Sequence, residues 1–193
     1  MFIKEFFKNT KQIGAIFPSS IFLAKAMVSQ IDYANTDVLV ELGAGNGVFT
    51  KEILKRKSSN TKFIIFEINS KFYKLLKKKY SHLNNVYIFK EKAENLDIVM
   101  LNLGLKKIDY VISGLPFLNI PRTNRNKIFQ SISIFLEKEL ILFQYTKLLE
   151  SELRYKYRLI NRKYVLLNAP PAYVYTLKNI SLYNSIYNNS LFV

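Results

Sequence analysis

The sequence predicts an α/β domain built around a mostly parallel β-sheet. Five short runs rich in β-branched and aromatic residues have the apolar character of strands buried on both faces. These runs are 37–42, 62–68, 86–90, 108–113 and 139–145. Helix-like stretches separate them, at 48–57, 70–80, 94–102 and 123–136. Such regular alternation is typical of βα units wound into one parallel sheet.

Two further strand-like runs follow towards the C-terminus. KYVLLNA (163–169) and AYVYTLK (172–178) are separated only by Pro170 and Pro171. Because this connection is too short for a helical crossover, it predicts an antiparallel hairpin at the edge of the sheet. We therefore expect seven strands, mostly parallel, with helices on both faces.

The length of 193 residues fits one domain, with no second domain expected. Within it we expect an N-terminal helical segment over 1–30, which contacts a membrane and covers the site, and a cofactor-binding core over 37–193. No run of about 18 apolar residues and no signal-peptide core occurs, so we expect a cytoplasmic protein.

The amino-acid composition limits the kinds of site that the protein can form. The chain has no cysteine, and its single histidine, His82, lies in the polar stretch SHLNN away from any motif. Disulfides, thiolate metal sites and a cysteine nucleophile are therefore excluded, and we predict no metal site. The net charge of +15 indicates a polyanionic partner, either nucleic acid or an anionic membrane, unless the genome simply favours lysine.

The strongest chemical signal is ELGAGNG (41–47), which follows the first predicted strand and precedes a helix. Gly43, Gly45 and Gly47 allow a tight turn and close approach of a ligand to the backbone. Glu67 ends the second predicted strand, where a carboxylate can accept both hydroxyls of a ribose. A glycine loop alone has the alternative of a plain turn, but loop and acid together indicate a nucleoside-binding site.

The spacing E-x-G-x-G-x-G resembles the class I S-adenosylmethionine-dependent methyltransferases, whereas dehydrogenases have G-x-G-x-x-G. The resemblance implies a Rossmann-like domain that uses S-adenosyl-L-methionine and releases S-adenosyl-L-homocysteine. It implies that Glu41 frames the methionine moiety with the glycines, that Glu67 holds the ribose, and that Ala93 and Glu94 contact the adenine. For Glu94 the alternative is an ordinary surface acid in a first helical turn. The expected cofactor-binding residues are Glu41, Gly43, Gly45, Gly47, Glu67, Ile68, Ala93, Glu94 and Ser113.

Within that class the chain resembles the bacterial phospholipid N-methyltransferases, relatives of the rRNA adenine dimethyltransferases. The resemblance covers essentially the whole chain and rests on segments in matching order. They are GAIFPSS (14–20), ELGAGNGVFT (41–50), ISGLP (112–116), FQYT (143–146) and NAPPAYVY (168–175). The rRNA enzymes usually carry an additional helical C-terminal domain for RNA, which we do not expect here.

The stretch ISGLPFLN (112–119) bears on the methyl acceptor. In the adenine dimethyltransferases the corresponding tetrapeptide is Asn-Leu-Pro-Tyr, whose Asn and a backbone carbonyl accept hydrogen bonds from a flat amino group while the ring stacks on the base. Here Gly114 replaces the Asn. An alkyl amine needs deprotonation, placement and room for added methyl groups, which Gly114 leaves. The alternative is that Gly114 only shapes the turn before Pro116.

The residues expected around methyl transfer are Ser113, Gly114, Leu115, Pro116, Phe117 and Tyr145. The backbone carbonyls from Ser113 to Leu115 are expected to orient an N–H group of the acceptor. The general base is left open among Tyr145, Tyr173, Glu5 and water.

The start of the chain, MFIKEFFKNTK, is consistent with a membrane partner. Its aromatic and aliphatic residues, Phe2, Ile3, Phe6 and Phe7, fall on one side of a helix and its lysines towards the other. Such a segment suits a bilayer interface, to which the overall basicity adds attraction for anionic lipid. The alternative is a helix that covers the core of the domain.

The sequence thus predicts a peripheral enzyme on the inner face of the cytoplasmic membrane. It would transfer methyl groups to the amine of phosphatidylethanolamine, towards the mono-, di- and trimethylated forms, the last being phosphatidylcholine. The expected partners are an anionic lipid surface and these lipids as substrates, with no nucleic acid and no obligate protein partner. Two alternatives stay open: an RNA adenine N6-methyltransferase, and a basic membrane- or RNA-binding module with a vestigial cofactor pocket.

Overall fold

In the computed structural model, residues 20–180 are described, and their seven strands form one mixed sheet. The strands are Val38–Leu42 (β1), Lys62–Phe66 (β2), Val86–Phe89 (β3), Ile108–Ser113 (β4), Leu136–Gln144 (β5), Tyr157–Val165 (β6) and Ala172–Asn179 (β7). Their order across the sheet is β3-β2-β1-β4-β5-β7-β6. The first five run parallel, whereas β7 is antiparallel to both β5 and β6. The predicted sheet is confirmed.

Helices cover both faces of this sheet, as predicted. They are Ile21–Val28 (α1), Val48–Leu54 (α2), Ser70–Tyr80 (α3), Leu96–Asn102 (α4), Arg122–Phe135 (α5) and Glu150–Lys156 (α6). Apolar residues of α1, α2 and α3 belong to one buried cluster, and those of α4, α5 and α6 belong to the other. The sheet lies between the two clusters, so its central strands β1 and β4 are buried along their whole length.

The C-terminal hairpin differs from its predicted boundaries. Its first strand, β6, begins at Tyr157 and ends at Val165, whereas the apolar pattern predicted a strand over 163–169. Most side chains of β6 are partly or fully exposed because it is the edge strand of the sheet. The polar sequence YRLINRKYV therefore has no apolar pattern from which this strand could be predicted. The preceding helix α6 was not predicted either. Leu166 and Leu167, read as strand residues, lie in the loop that follows.

Phe117 was expected to face the methyl acceptor, and the structure corrects this. Its side chain is fully buried and stacks on Phe129 of α5, with ring centroids 4.8 Å apart. Phe129 in turn packs edge-on against Tyr157. The short 3₁₀ turn Phe117–Asn119 directs the aromatic ring into the core beneath α5. Phe117 therefore anchors the loop instead of presenting a ring to a substrate.

The parallel register brings the site segments to one edge of the sheet. Leu42, at the end of β1, is paired with Phe66 of β2 and with Ser113 of β4, and Phe66 is paired with Phe89 of β3. The segments that leave these strands start side by side, because the carboxyl ends of parallel strands share an edge. This is where the fold places the glycine loop, Glu67, the segment after β3 and ISGLPFLN.

The expectations for residues 1–19 lie outside the described residues. They concern the amphipathic segment, most of GAIFPSS and Glu5 as a candidate base. No helix within residues 20–180 has the length and apolar content that crossing a bilayer requires.

Candidate active site

The glycine loop is held on the end of β2 by its own backbone. The amides of Gly43 and Ala44 both donate to the Phe66 carbonyl, at 2.9 and 3.2 Å. Gly43, Gly45 and Gly47 have φ values of 74°, 56° and 85°, a left-handed conformation that other residues rarely adopt. A Cβ at position 45 would meet no atom within 4 Å. The loop therefore has an open side at Gly45, as approach of a ligand to the backbone requires.

Glu67 joins the glycine loop to the start of α3. Its Oε2 accepts a hydrogen bond from the Gly45 amide at 2.6 Å, and its Oε1 accepts one from the Asn69 amide at 2.7 Å. Asn69 caps α3 through its own side chain. Since each carboxylate oxygen can accept two hydrogen bonds, both retain capacity for the hydroxyls of a ribose. The predicted role of Glu67 is compatible with this geometry.

Glu41 is buried completely beneath the loop. Its Oε2 accepts a hydrogen bond from the Thr50 hydroxyl at 2.7 Å, while its Oε1 has no partner among the described residues. Burial raises the pKa of Glu41 to about 8, against the opposing effect of the Thr50 hydrogen bond. A buried acceptor without a partner is costly. It fits a ligand with a cationic or hydrogen-bonding group, such as the methionine moiety of S-adenosylmethionine.

A cavity of about 380 Å³ opens at this edge of the sheet. It brings together eight residues that the sequence analysis singled out: Gly43, Glu67, Ile68, Ala93, Glu94, Gly114, Leu115 and Pro116. Five of the predicted cofactor residues and three residues of the predicted acceptor loop therefore share one cavity. Its dimensions are those of small-molecule sites in general.

The cavity also has lining residues that the sequence analysis missed, among them Glu91, Lys92, Asn119 and Asn124. Asn124 donates a hydrogen bond from its side chain to Glu94 Oε1 at 2.9 Å, which ties the predicted adenine-contacting segment to α5. Asn119 is the last residue of ISGLPFLN and ends the 3₁₀ turn, but no pattern marked it as a site residue. Asn124 lies on α5, and only the packing of that helix over the cavity brings it there.

The other predicted residues do not line this cavity; they are Glu41, Gly45, Gly47, Ser113, Phe117 and Tyr145. Gly47 precedes α2, and a Cβ there would lie 2.9 Å from the Leu76 side chain. Ser113 is buried at the end of β4, and its hydroxyl accepts a hydrogen bond from the Leu115 amide at 3.3 Å. Tyr145 follows β5 and packs edge-on against Phe143 on the α1–α3 side of the sheet.

Tyr145 and Tyr173 were both candidates for the general base. Burial raises the pKa of the Tyr145 hydroxyl, although a hydrogen bond with Asn168 lowers it in part. A raised pKa keeps this hydroxyl protonated at neutral pH, so it is suited to donating a hydrogen bond and poorly suited to removing a proton. Tyr173 packs against Tyr164 with the Lys147 ammonium above its ring.

The glycine loop and the acceptor loop are in direct contact. The Gly114 amide donates to the Leu42 carbonyl at 2.9 Å, and a Cβ at position 114 would lie 2.8 Å from the Gly43 carbonyl oxygen. A Cβ at position 43 would in turn lie 2.7 Å from the Leu115 side chain. This corrects the expectation that Gly114 leaves room for methyl groups, because the place of a side chain is already taken by Gly43. Close approach of two backbones is the reason for the glycine.

Arg125 anchors the far end of the acceptor loop. One guanidinium nitrogen donates to the carbonyls of Phe117 and Ile120, at 3.1 and 3.0 Å. The other two form a bidentate pair with Glu152 of α6, at 2.9 and 2.6 Å. Such paired, charge-assisted hydrogen bonds fix orientation as well as distance. Arg125 therefore holds the loop against both α5 and α6.

Fold and site together define a class I, S-adenosylmethionine-dependent methyltransferase. The strand order, the glycine loop after β1 and the acid after β2 are the features that this class uses to hold its cofactor. The family model described as ribosomal RNA adenine dimethylase matches residues 6–113, more than half of the chain. The chain belongs to this family.

Relatives with similar sequences differ in the methyl acceptor that their names give. An ornithine lipid N-methyltransferase of Singulisphaera acidiphila is 30% identical over 132 residues, which cover 68% of this chain and 69% of that protein. A ribosomal RNA small subunit methyltransferase A of Mycoplasma capricolum is 32% identical over 114 residues, covering 57% of this chain but 40% of that protein. The match to the RNA enzyme thus spans less than half of its length.

Solved structures agree on the fold. The 1,6-didemethyltoxoflavin-N1-methyltransferase of Burkholderia thailandensis superposes with a TM-score of 0.66 at 11% identity, covering 92% of this chain and 87% of that one. Identity this low shows a shared architecture alone. The predicted class is confirmed, and the solved structures do not identify the acceptor.

We predict that Gly114→Ala disturbs the cofactor site. The added methyl group meets the Gly43 carbonyl, so the glycine loop has to move, and overpacking of this kind costs about 1–3 kcal/mol of the free energy of unfolding. Calorimetry with S-adenosylhomocysteine should show weaker binding. Gly104→Ala is the control for backbone strain away from the site: Gly104 has a φ of 65° but no atom within 4 Å of its Cβ position, and it does not line the cavity, so affinity should be unchanged there. Unchanged affinity and stability in Gly114→Ala would contradict the close packing of the two loops.

We further predict a pH-dependent stability difference between the parent and Glu41→Gln without cofactor. The pKa of Glu41 in the folded protein, about 8, lies above its ordinary value of 4.5. The stability linked to its protonated form is therefore complete below the lower value and is lost as pH rises through the higher one. Glutamine keeps the shape but does not titrate. In urea unfolding, the parent should lose stability relative to Glu41→Gln between about pH 5 and 8.

Exposed Glu137 supplies the control, since Glu137→Gln removes one surface carboxylate and shows what the loss of a negative charge does by itself. If the difference between the parent and Glu41→Gln stays constant across that range, Glu41 is already ionised in the cofactor-free protein.

Proposed function

We propose that the protein methylates the primary amine of a membrane-lipid headgroup, with phosphatidylethanolamine as the acceptor. The observation that carries this proposal is the glycine at position 114. The Gly43 carbonyl lies 2.8 Å from the position of a Cβ at that residue, so the loop has no place for an amide side chain. The loop then lacks the side chain that would hold a planar aromatic amino group. An alkyl amine has no such requirement, because its lone pair is free once it is deprotonated.

Each residue of the site would have a separate role in the reaction. When bound, S-adenosylmethionine supplies an electrophilic methyl group to the amine. Glu67 would hold the ribose hydroxyls, and Glu41 would face the methionine moiety through its free Oε1. Leu115 and Pro116 line the same cavity and would confine the headgroup beside the glycine loop. Tyr145, kept protonated, would donate a hydrogen bond at the margin of the site.

The relative from Singulisphaera acidiphila supports a lipid amine. Its name gives ornithine lipid as its acceptor, and the alignment covers more than two thirds of both chains. Ornithine and ethanolamine headgroups both present a primary alkyl amine, so the same acceptor loop would suit either headgroup. We favour phosphatidylethanolamine and its mono-, di- and trimethylated products, with a peripheral location on the inner face of the cytoplasmic membrane.

A second candidate is N6-methylation of adenine in RNA. It is favoured by the family model and by relatives named as ribosomal RNA small subunit methyltransferases. The net charge of +15 suits RNA as well as it suits anionic lipid. Gly114 argues against it, since Asn stands there in the adenine dimethyltransferases.

The proposal predicts which acceptor takes up label from methyl-labelled S-adenosylmethionine. The protein is offered vesicles with phosphatidylethanolamine, vesicles with ornithine lipid, and total RNA, each alone and then together. We expect label in the lipid extract, foremost in methylated phosphatidylethanolamine. Vesicles of phosphatidylcholine alone, which have no primary amine, are the control. Label in RNA and none in lipid would contradict the proposal, and label in ornithine lipid alone would replace the acceptor but keep the class.

A further inference from the structure

An exposed apolar surface lies where α1 meets the loop between β6 and β7. Leu166 and Leu167 in this loop are 70% and 67% exposed, and Phe22 of α1 is 50% exposed. These three residues line one open cavity of about 500 Å³, together with Tyr164 at the end of β6 and two lysines. We name this set the α1–β6 surface; its members are Phe22, Lys25, Lys163, Tyr164, Leu166 and Leu167.

The charge of the α1–β6 surface is positive. Lys25 and Lys163 line the cavity, and neither forms an ion pair within residues 20–180. Uncompensated lysines around exposed leucines match the two parts of a bilayer interface, anionic headgroups outside and hydrocarbon beneath. Phe22 and Tyr164 have rings on which a base could stack, but Leu166 and Leu167, the most exposed apolar members, gain nothing from RNA. The composition favours an anionic bilayer.

The α1–β6 surface is joined to Tyr145 through Asn168. This residue directly follows Leu167, and its side chain is almost completely buried. It accepts a hydrogen bond from the Ser20 amide at 2.9 Å, immediately before α1, and donates one to the Pro170 carbonyl at 2.6 Å. It also shares a hydrogen bond with Tyr145. The exposed leucines are therefore held at a fixed place beside a predicted acceptor-side residue.

We propose that the α1–β6 surface docks on an anionic lipid bilayer and so presents lipid headgroups to the acceptor loop. This rests on the proposed function for the identity of the acceptor, but not for the docking itself. Insertion of Leu166 and Leu167 removes apolar surface from water, and Lys25 and Lys163 then lie at the level of the phosphates. The docked orientation brings the bilayer next to Tyr145.

Single-tryptophan probes test the docking, because the chain contains no tryptophan. Leu167→Trp places a probe in the α1–β6 surface, and Leu101→Trp is the matched control, since Leu101 is 69% exposed on α4. Vesicles of phosphatidylglycerol and phosphatidylethanolamine should shift the emission of Leu167→Trp to the blue, and brominated acyl chains should quench it. Leu101→Trp should show neither effect. An emission of Leu167→Trp that is already blue before vesicles are added, or that does not respond to them, would overturn the proposal.

Flotation of paired variants gives a second measurement. Leu166→Ser with Leu167→Ser should weaken binding to the same vesicles by about tenfold or more, whereas Leu101→Ser should float like the parent. Lys25→Gln with Lys163→Gln should weaken binding and reduce its dependence on salt. Thermal melting and S-adenosylhomocysteine affinity confirm that each variant is folded. Normal flotation of the serine variant, with loss of a dimer in light scattering, would assign this face to a second copy of the chain.

Separate measurements distinguish a failure of the docking proposal from a failure of the proposed acceptor. Vesicle binding is measured without a methyl donor, so its loss in the serine variant supports the surface whether or not lipid is methylated. Methylation of phosphatidylethanolamine in detergent micelles needs no bilayer, and it should persist in that variant. Unchanged methylation on vesicles by a variant that no longer floats would overturn the link between docking and headgroup delivery.

Discussion

The hydrogen bonds of the Glu67 carboxylate are the interaction on which the site depends. One oxygen accepts from Gly45 in the glycine loop, and the other accepts from Asn69 at the start of α3. These charge-assisted bonds compensate the burial of a carboxylate that is only 6% exposed, which would otherwise be unfavourable. Because Gly43 and Ala44 also donate to Phe66 just before it, the loop is fixed to β2 at three amides. These hydrogen bonds couple the loop to the sheet at the edge of the cavity.

The second constraint is the contact between the loops that follow β1 and β4. Gly114 approaches the Gly43 carbonyl, and Leu115 fills the space beside Gly43, so the cofactor loop and the acceptor loop form one packed unit. Arg125 and Glu152 hold the other end of the acceptor loop on α5 and α6. Methyl transfer needs the acceptor within close reach of the donor, and a unit held at both ends supplies that placement. A change at position 114 therefore acts on cofactor binding and on acceptor placement together.

The sequence predicted the parts of the molecule whose local pattern agrees with their burial. β1 and β4 are buried on both faces, and their continuous apolar runs identified them. The bounds of β6 were predicted wrongly because an edge strand exposes most of its side chains and so has no apolar run. The glycines and Glu67 were found by spacing, whereas Asn124 comes to the cavity only through the packing of α5. The inward turn of Phe117 and the approach of Gly43 to Gly114 are contacts between distant segments, which no local pattern encodes.

Binding of S-adenosylhomocysteine to Glu67→Gln tests the account most directly, by calorimetry against the parent. Removing the charge weakens hydrogen bonds worth about 1.5–3 kcal/mol each, so affinity should fall by at least about tenfold. Glu91→Gln is the matched control, because Glu91 lines the same cavity but accepts hydrogen bonds only from Lys92 and Asn95 among the described residues. Binding should weaken in Glu67→Gln alone. Equal affinity in the parent and in both variants would contradict the assignment of this cavity to the cofactor.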